Sequence, residues 1–480
     1  MRTVLPAVTA ALVLTVVPAA AGFAATPPAH AAAPPRPIVF LHGAAGSAAQ
    51  FETQAKRFAS NGYPVEVIDG IDYDYSFGAE SSSAVLNRLE QRIDQLRRQT
   101  GADKVDLVAH SLGTFLSHSF LRTRSRAAKV AHYVNLDGAT ALSRPGGVPT
   151  LAIWGEGSTS RRIWGATNVY QSDQSHTQTV TSTQSFVQMH RFLTGADPAT
   201  TAVAAETGPI TLTGRTVLFP SNAAATGARV DVYEIDAGTG RRLTAQPFAR
   251  FTVAADGGFG PLTAAPQARY EFAIVHSEGH VQHHYFQPFQ RTDRLLRLLT
   301  NRPGEGISSR VPVDPRHSAL SLTRYKEWWG DQGTGSDHLT VNGVDILNAV
   351  TAPRDKRASL FAHDQLVDQR TDLNAAIPDF DEVFITAADV YIPAAADASG
   401  TVTVTIQSGQ AAAPSGSPCR TGRRTPTASP STPSTSDEHR PGRRHGPPGR
   451  TRRRAYADLR GSRGAHCPVP GLRESGDRGP

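Results

Sequence analysis

Val105-Asp-Leu-Val-Ala109 is an apolar run that ends in His110-Ser111-Leu112-Gly113. From Ser111 to about Arg122, Leu112, Phe115, Leu116 and Phe120 recur at helical spacing. This junction constrains the fold more than any other stretch of the chain. A buried run passing directly into a helix is a strand-turn-helix unit, and its apex is a serine with Ala109 two residues before it and Gly113 two after. Only small side chains at those places let the backbone turn so tightly. The turn lifts Oγ of Ser111 above the sheet edge, at the positive end of the following helix, which suits a nucleophile. By itself the serine also reads as an ordinary helix N-cap, and the pentad has alanine where a first glycine is usual.

The same alternation recurs on both sides. Pro37-Ile-Val-Phe-Leu41 runs into His42-Gly43-Ala44-Ala45-Gly46, a turn of small residues able to approach a ligand with its backbone. Tyr63 to Ile68 reads as a second strand, and Ser82 to Thr100 as a helix through Val85, Leu86, Leu89, Ile93 and Leu96. Strands follow at Val130 to Leu136, Pro149 to Trp154 and Thr167 to Tyr170, then a helix over about 177–193. Strands interleaved with helices of this length predict an α/β domain over 34–197 with a mostly parallel sheet covered on both faces.

Phe40-Leu-His-Gly43, Val105 to Gly113 and Val148-Pro-Thr-Leu-Ala-Ile-Trp154-Gly together resemble the α/β-hydrolases, and among them the small secreted bacterial lipases and esterases with an Ala-His-Ser-x-Gly elbow. The likeness covers about a third of the chain. It implies a serine nucleophile at Ser111 and a histidine after the last strand. His176, in the polar loop Tyr170-Gln-Ser-Asp-Gln-Ser-His176-Thr, fits that place; His190 falls inside the next helix, and His110 and His42 belong to the two turns. The acid is open. The resemblance expects Asp after strand 149–154, where this chain has Glu156; Asp137 ends the strand before, and Asp173 is a third choice. A carboxylate after a buried strand is costly unless paired, which favours Asp137. The backbone N–H groups of Leu112 and Ala44 are the expected oxyanion donors. Such chemistry is an acyl transfer through an acyl-enzyme and asks for no metal or organic cofactor.

Specificity is less legible. Residues 138–148 are too few for a helical cap, so the pocket is expected to be shallow unless another domain covers it. Tyr73, Tyr75 and Phe77, with Trp154, Ile163 and Trp164, are candidates for an apolar acyl wall; core packing is the equal alternative.

Beyond residue 206 the period changes to strict alternation between turns such as Asp236-Ala-Gly and Asp256-Gly-Gly258. This predicts mainly antiparallel β structure, in a small module over 206–280 that resembles the prealbumin-like modules and a second accessory domain over 281–407. His276, His280, His283 and His284 with Glu278 invite a zinc reading, but their spacing fits no standard ligand set. Trp328 and Trp329 suggest either a lipid- or polymer-facing patch or structural packing.

At the ends, Met1-Arg2 followed by an apolar, alanine-rich stretch to residue 33 reads as an export signal, with Ala29-His30-Ala31 as one cleavage site. It predicts a secreted, extracellular protein. The chain carries 49 Lys and Arg against 42 Asp and Glu. Of these, 14 Arg and 5 acidic residues lie in 411–480, so the basic excess belongs to the tail and gives the rest no signature for nucleic acid. Residues 408–480, rich in Pro, Gly and Arg, are expected to be disordered, either a basic surface-binding tail or the product of a shifted reading frame. The leading functional expectation is a secreted carboxylic ester hydrolase, a lipase or esterase, whose partner is a lipid or other apolar ester. A polyester depolymerase, amidase or acyltransferase would use the same residues. A non-catalytic binding module is the remaining alternative.

Overall fold

The computed structural model describes residues 35–409 apart from 278, 303, 355, 356, 381, 382 and 396–399, together with the backbone of strands Ala411–Arg420 and Gly464–Val469. The expected export signal and most of the tail lie outside the described residues.

The body is a six-stranded sheet in the order β2-β1-β3-β4-β5-β6: β1 (Ile38–Leu41), β2 (Ile68–Ile71), β3 (Val105–His110), β4 (Val130–Leu136), β5 (Thr150–Trp154) and β6 (Thr167–Tyr170). All its neighbours are parallel. Helices α1 (Glu52–Ser60), α2 (Ser82–Thr100), α3 (Leu112–Leu121), α4 (Arg124–Ala127), α5 (Gln178–Thr181) and α6 (Thr183–Thr194) connect them. One face packs Val85, Leu89, Ile93 and Leu96 of α2 and Leu116 and Phe120 of α3 against Val39, Leu41, Leu107 and Ala109. The other packs Phe51, Phe58, Phe186 and Met189 against Phe40, Val108, Val134 and Leu151. With both faces covered, β1, β3 and β5 are buried along their whole length, as a doubly covered parallel sheet requires, while the edge strand β6 is partly exposed.

Two local expectations change. The second strand starts at Ile68 rather than Tyr63, because Pro64 introduces a single 3-10 turn over Val65–Val67. The last helix is broken at Ser182, whose hydroxyl accepts from Ser185 N at 3.1 Å and so starts α6 afresh.

Past the body, strands Ile210–Leu218, Gly258–Ala264 and Asp293–Thr300 face strands Arg229–Ile235, Ala249–Thr252, Arg269–Val275 and Val281–Tyr285 around a core of Val230, Val232, Phe259, Phe272, Leu296 and Leu298. The boundary expected at 280/281 therefore cuts through hydrogen-bonded neighbours: Val281–Tyr285 pairs with Arg269–Val275, and Asp293–Thr300 with Ile210–Leu218. The first module extends through Thr300. In the second module, Ala319–Arg324, Arg357–His363 and Phe384–Asp389 form one layer and His338–Val341 with Thr401–Ser408 another, around Leu322, Trp328, Leu339, Leu360 and Val404.

The tail is not wholly the disordered segment expected from 408. Ala411–Arg420 pairs antiparallel with Thr401–Ser408, and Gly464–Val469 lies parallel between Val281–Tyr285 and Ala319–Arg324, joining the modules into one eight-stranded sheet. Neither stretch carries the apolar alternation of the earlier strands, and Pro414, Pro418 and Pro468 lack the N–H that a ladder uses, which is why composition misses them. Among the described residues no helix is long and apolar enough to cross a membrane.

Candidate active site

Ser111 stands between β3 and α3 with φ 48° and ψ −119°, a left-handed conformation that a side-chain-bearing residue adopts only when its surroundings force it. Its N–H donates to Leu136 O at 3.1 Å, and its carbonyl accepts from Thr114 N at 3.0 Å and Thr114 Oγ1 at 2.6 Å. Thr114 Oγ1 also accepts from Ala139 N at 2.7 Å, tying this turn to the end of β4. Two glycines make the approach possible. A Cβ on Gly113 would meet the carbonyls of Leu41 and His42 at 2.5 Å, and one on Gly43 would lie 2.8 Å from His110 Nδ1 and 3.0 Å from Ser111 Cβ.

Asp137 follows β4, also at positive φ (40°), with its N–H bonded to Ile153 O at 2.7 Å. Its carboxylate has three donors: His176 Nδ1 at 2.6 Å on Oδ2, and Arg161 Nη1 at 2.9 Å and Gly155 N at 3.2 Å on Oδ1. Burial alone would raise its pKa. The His176 hydrogen bond, the Arg161 charge and the Gly155 N–H outweigh burial and hold it below the ordinary carboxylate range. Of the three carboxylates named as candidate acids, Asp137 meets the imidazole, Glu156 turns away to Arg354 at 2.5 Å, and Asp173 is exposed.

With Nδ1 donating to Asp137, Nε2 of His176 is left as the acceptor. It is buried without a hydrogen-bond partner, and His176 and Ser111 line the same cavity of about 400 Å³. No hydrogen bond joins Ser111 Oγ to His176 Nε2 in this state. The other histidines are occupied. His190 stacks on Phe58, and its Nδ1 lies 2.8 Å from Ala196 O. His110, held neutral by burial, donates from Nε2 to the carbonyl of His176 at 3.0 Å. His42 accepts from Tyr73 N at 3.2 Å, donates from Nδ1 to Gly43 O at 2.7 Å, and is pushed down to about 4 by burial.

Beside it, Gly43 N is taken by Gln50 Oε1 at 3.1 Å, and Ala44 occupies the tight turn that follows, with Ala45 at φ 51°. Leu112 opens α3. The turn is braced from outside the body: Asn222 of the first β module donates to Gly46 O at 2.8 Å and Tyr73 O at 3.0 Å.

The expected apolar wall is not there. Tyr73, Trp154 and Ile163 are core residues, Tyr75 and Phe77 are partly buried against the α2 layer, and Trp164 is 57% exposed. None of the six lines the cavity, whose walls are Phe115, Glu156 and Arg161 from the body and Glu327, Trp329 and Arg354 from the second β module. Aromatic content predicts burial, and these rings found it in the core. The cover allowed for as an alternative is present, supplied by that module.

Of the two tryptophans, Trp328 is buried, with Nε1 donating to Ala358 O at 3.1 Å, and only Trp329 reaches the cavity. His276 and His283 are engaged with Thr300 Oγ1 at 2.8 Å and Glu271 Oε1 at 2.7 Å. Sequence reasoning missed Arg161, although two arginines in the loop after β5 lie at the expected sheet edge. It also missed Glu327, Arg354 and Phe384, which no local signal marks.

Residues 36–177 match the family model for the alpha/beta hydrolase fold, residues 208–303 a lipase C-terminal domain, and residues 306–415 a model described only as a C-terminal domain. The body has an α/β-hydrolase fold. The β modules are its C-terminal accessory domains.

Solved structures with some likeness include a lipase from Bacillus licheniformis in its propeptide form, 12% identical over 80% of this chain and 93% of its own, with a TM-score of 0.27. Lipase B of Aspergillus fumigatus is 12% identical over 35% of this chain, with a TM-score of 0.28, and this chain spans 54% of its length. A predicted CIB-like hydrolase from Thermoplasma acidophilum is 17% identical over 33% of this chain and 85% of its own, with a TM-score of 0.26.

Proposed function

We propose that this hydrolase cleaves carboxylic esters through an acyl-enzyme on Ser111. The observation that carries the reading is the buried His176–Asp137 pair: Nε2 of His176 has no hydrogen-bond partner, and His176 lines the same cavity as the strained Ser111. In the first half-reaction Oγ bonds to the ester carbonyl carbon as Nε2 takes its proton. Asp137, already ionised, balances the imidazolium. The carbonyl oxygen becomes an oxyanion that accepts from the N–H groups of Leu112 and Ala44. When the C–O bond to the alcohol breaks, the imidazolium returns the proton to the leaving oxygen. Water then repeats the sequence on the acyl-enzyme and releases the acid. The step requires Oγ to come within hydrogen-bond reach of Nε2, a contact that in apo enzymes is often long and tightens only with substrate bound.

The cavity suggests which esters. At about 400 Å³, lined by Glu156, Arg161, Glu327 and Arg354, it suits a short or polar acyl group better than a long chain. Rates on p-nitrophenyl esters of rising chain length test this, with a maximum expected at short chains. Ser111→Ala tests the chemistry: kcat/KM should fall about 10³-fold or more. A retained rate would remove the reading.

A further inference from the structure

Glu327 sits in the second accessory module, 151 residues past His176 in number, yet its carboxylate is spent on the two residues that flank that histidine. Oε1 accepts from Thr177 N at 2.8 Å; Oε2 accepts from Thr177 Oγ1 at 2.7 Å and from the hydroxyl of Ser175. The residue is 2% exposed and lines the cavity with Ser111 and His176. It is also firmly mounted. Arg324, fully buried, donates to the Glu327 carbonyl and to Asp337, whose Oδ2 accepts Trp329 N at 3.1 Å. From the same module Phe384 stacks on the His176 ring with centroids 5.6 Å apart.

A carboxylate that only fastens two modules would be matched by a cation, because a buried unpaired charge is expensive. The other buried carboxylates at module boundaries obey this: Asp72 meets Arg215 and Arg297, and Asp293 meets Lys56. Among the described residues Glu327 forms no ion pair: the Arg324 charge acts on it through space, but that guanidinium is bonded to Asp337 and to the Glu327 carbonyl, and the direct partners of the carboxylate are one N–H and two hydroxyls on the residues flanking His176. Its negative charge is best compensated when that imidazole is positive. Resting on the ester-cleavage reading above, we propose that Glu327 is a positioning residue for the reaction: it fixes the loop that carries His176 and favours the imidazolium formed in each half-reaction. The accessory module thereby becomes part of the reacting apparatus rather than an attachment to it. The charged and titratable groups around His176 are then Asp137 with Arg161, the neutral His110 whose ring lies 4.5 Å away, Glu327 with the buried Arg324 acting on it, and the Glu156–Arg354 pair that lines the same cavity.

The test is Glu327→Gln, which keeps the size and an acceptor for Thr177 N but removes the charge. In the full-length protein kcat should fall about tenfold with KM within about twofold. The acid limb of kcat/KM should move to lower pH by about half a unit to one unit. The titration of the His176 ring followed by NMR, which needs no turnover, should move in the same sense. A folded variant with an unchanged His176 titration and wild-type kcat overturns the proposal. Should the variant not fold, Thr177→Val removes one donor and keeps the charge: a kcat drop of about threefold or more is expected, and none overturns it. Ester cleavage that survives Ser111→Ala defeats the ester reading alone, since the NMR titration still judges Glu327.

Discussion

The hydrolase body meets its two accessory modules in opposite ways. Against the first, Asp72 is buried with Ala48 N at 2.8 Å, Arg297 Nε at 2.8 Å and Arg215 Nη1 at 2.5 Å, and Asp293 takes Lys56 Nζ at 2.8 Å. Burial raises the Asp72 pKa, but the two guanidinium charges and the N–H overcome it and hold it down at about 2. Against the second module, Glu327 has hydroxyl and amide donors, Arg354 reaches the half-exposed Glu156, and Phe384 lies over His176. Both junctions cross with acidic side chains. The first pairs its buried carboxylates with cations, and apart from the Asn222 brace on the turn after β1 its contacts hold the modules together. The second spends its contacts on the loop and walls around Ser111, so it shapes the site.

That contrast can be broken experimentally. The largest expected effect is on the first junction. Asp72→Ala leaves two arginines and a buried N–H without their acceptor, and should cost about 3–5 kcal/mol in urea unfolding. Ester hydrolysis well below the unfolding midpoint should stay within about threefold of wild type. Glu327→Gln should show the reverse pattern, a loss of rate with a modest loss of stability; if Asp72→Ala cost rate and Glu327→Gln only stability, the division would be wrong.

Acid comes next. His42 is about 4 in the folded protein against an ordinary 6.5, with burial as the cause. As pH falls through that window the unfolded chain binds a proton that the folded chain refuses. Stability is therefore lost on the acid side, by at most about 3 kcal/mol. Urea midpoints measured from pH 7 to 4 should decline, and His42→Asn, which keeps a donor and an acceptor, should flatten part of the slope.

The smallest effect belongs to the rim. Glu156 and Arg354 are partly exposed, so Glu156→Gln should change stability by less than about 1 kcal/mol. It should show instead in KM for charged against neutral esters.

How far the sequence reached follows the same line. The elbow was legible because its requirements are local: a buried run, small residues at 109 and 113, and a helix immediately after. His176 was legible from its loop after the last strand. Asp137 was legible as a carboxylate at a strand end, but that it meets His176, and Glu156 does not, came only from the 2.6 Å contact. The acyl wall was misplaced because aromatic residues near a site obey burial before function, and Tyr73, Trp154 and Ile163 had a core available to them. Strand pairing by Ala411–Arg420 and Gly464–Val469 was invisible, since both stretches hold proline, which lacks an N–H, and neither alternates apolar with polar residues.

By itself the sequence determined the parallel sheet, the strained serine at its edge and the change to β modules, because periodicity and turn chemistry act over a few neighbouring residues. Only the tertiary structure decided what encloses that serine. Glu327, Trp329, Arg354 and Phe384 reach it from another domain through contacts that no spacing rule encodes, because packing between domains depends on surface shape and charge rather than on distance along the chain.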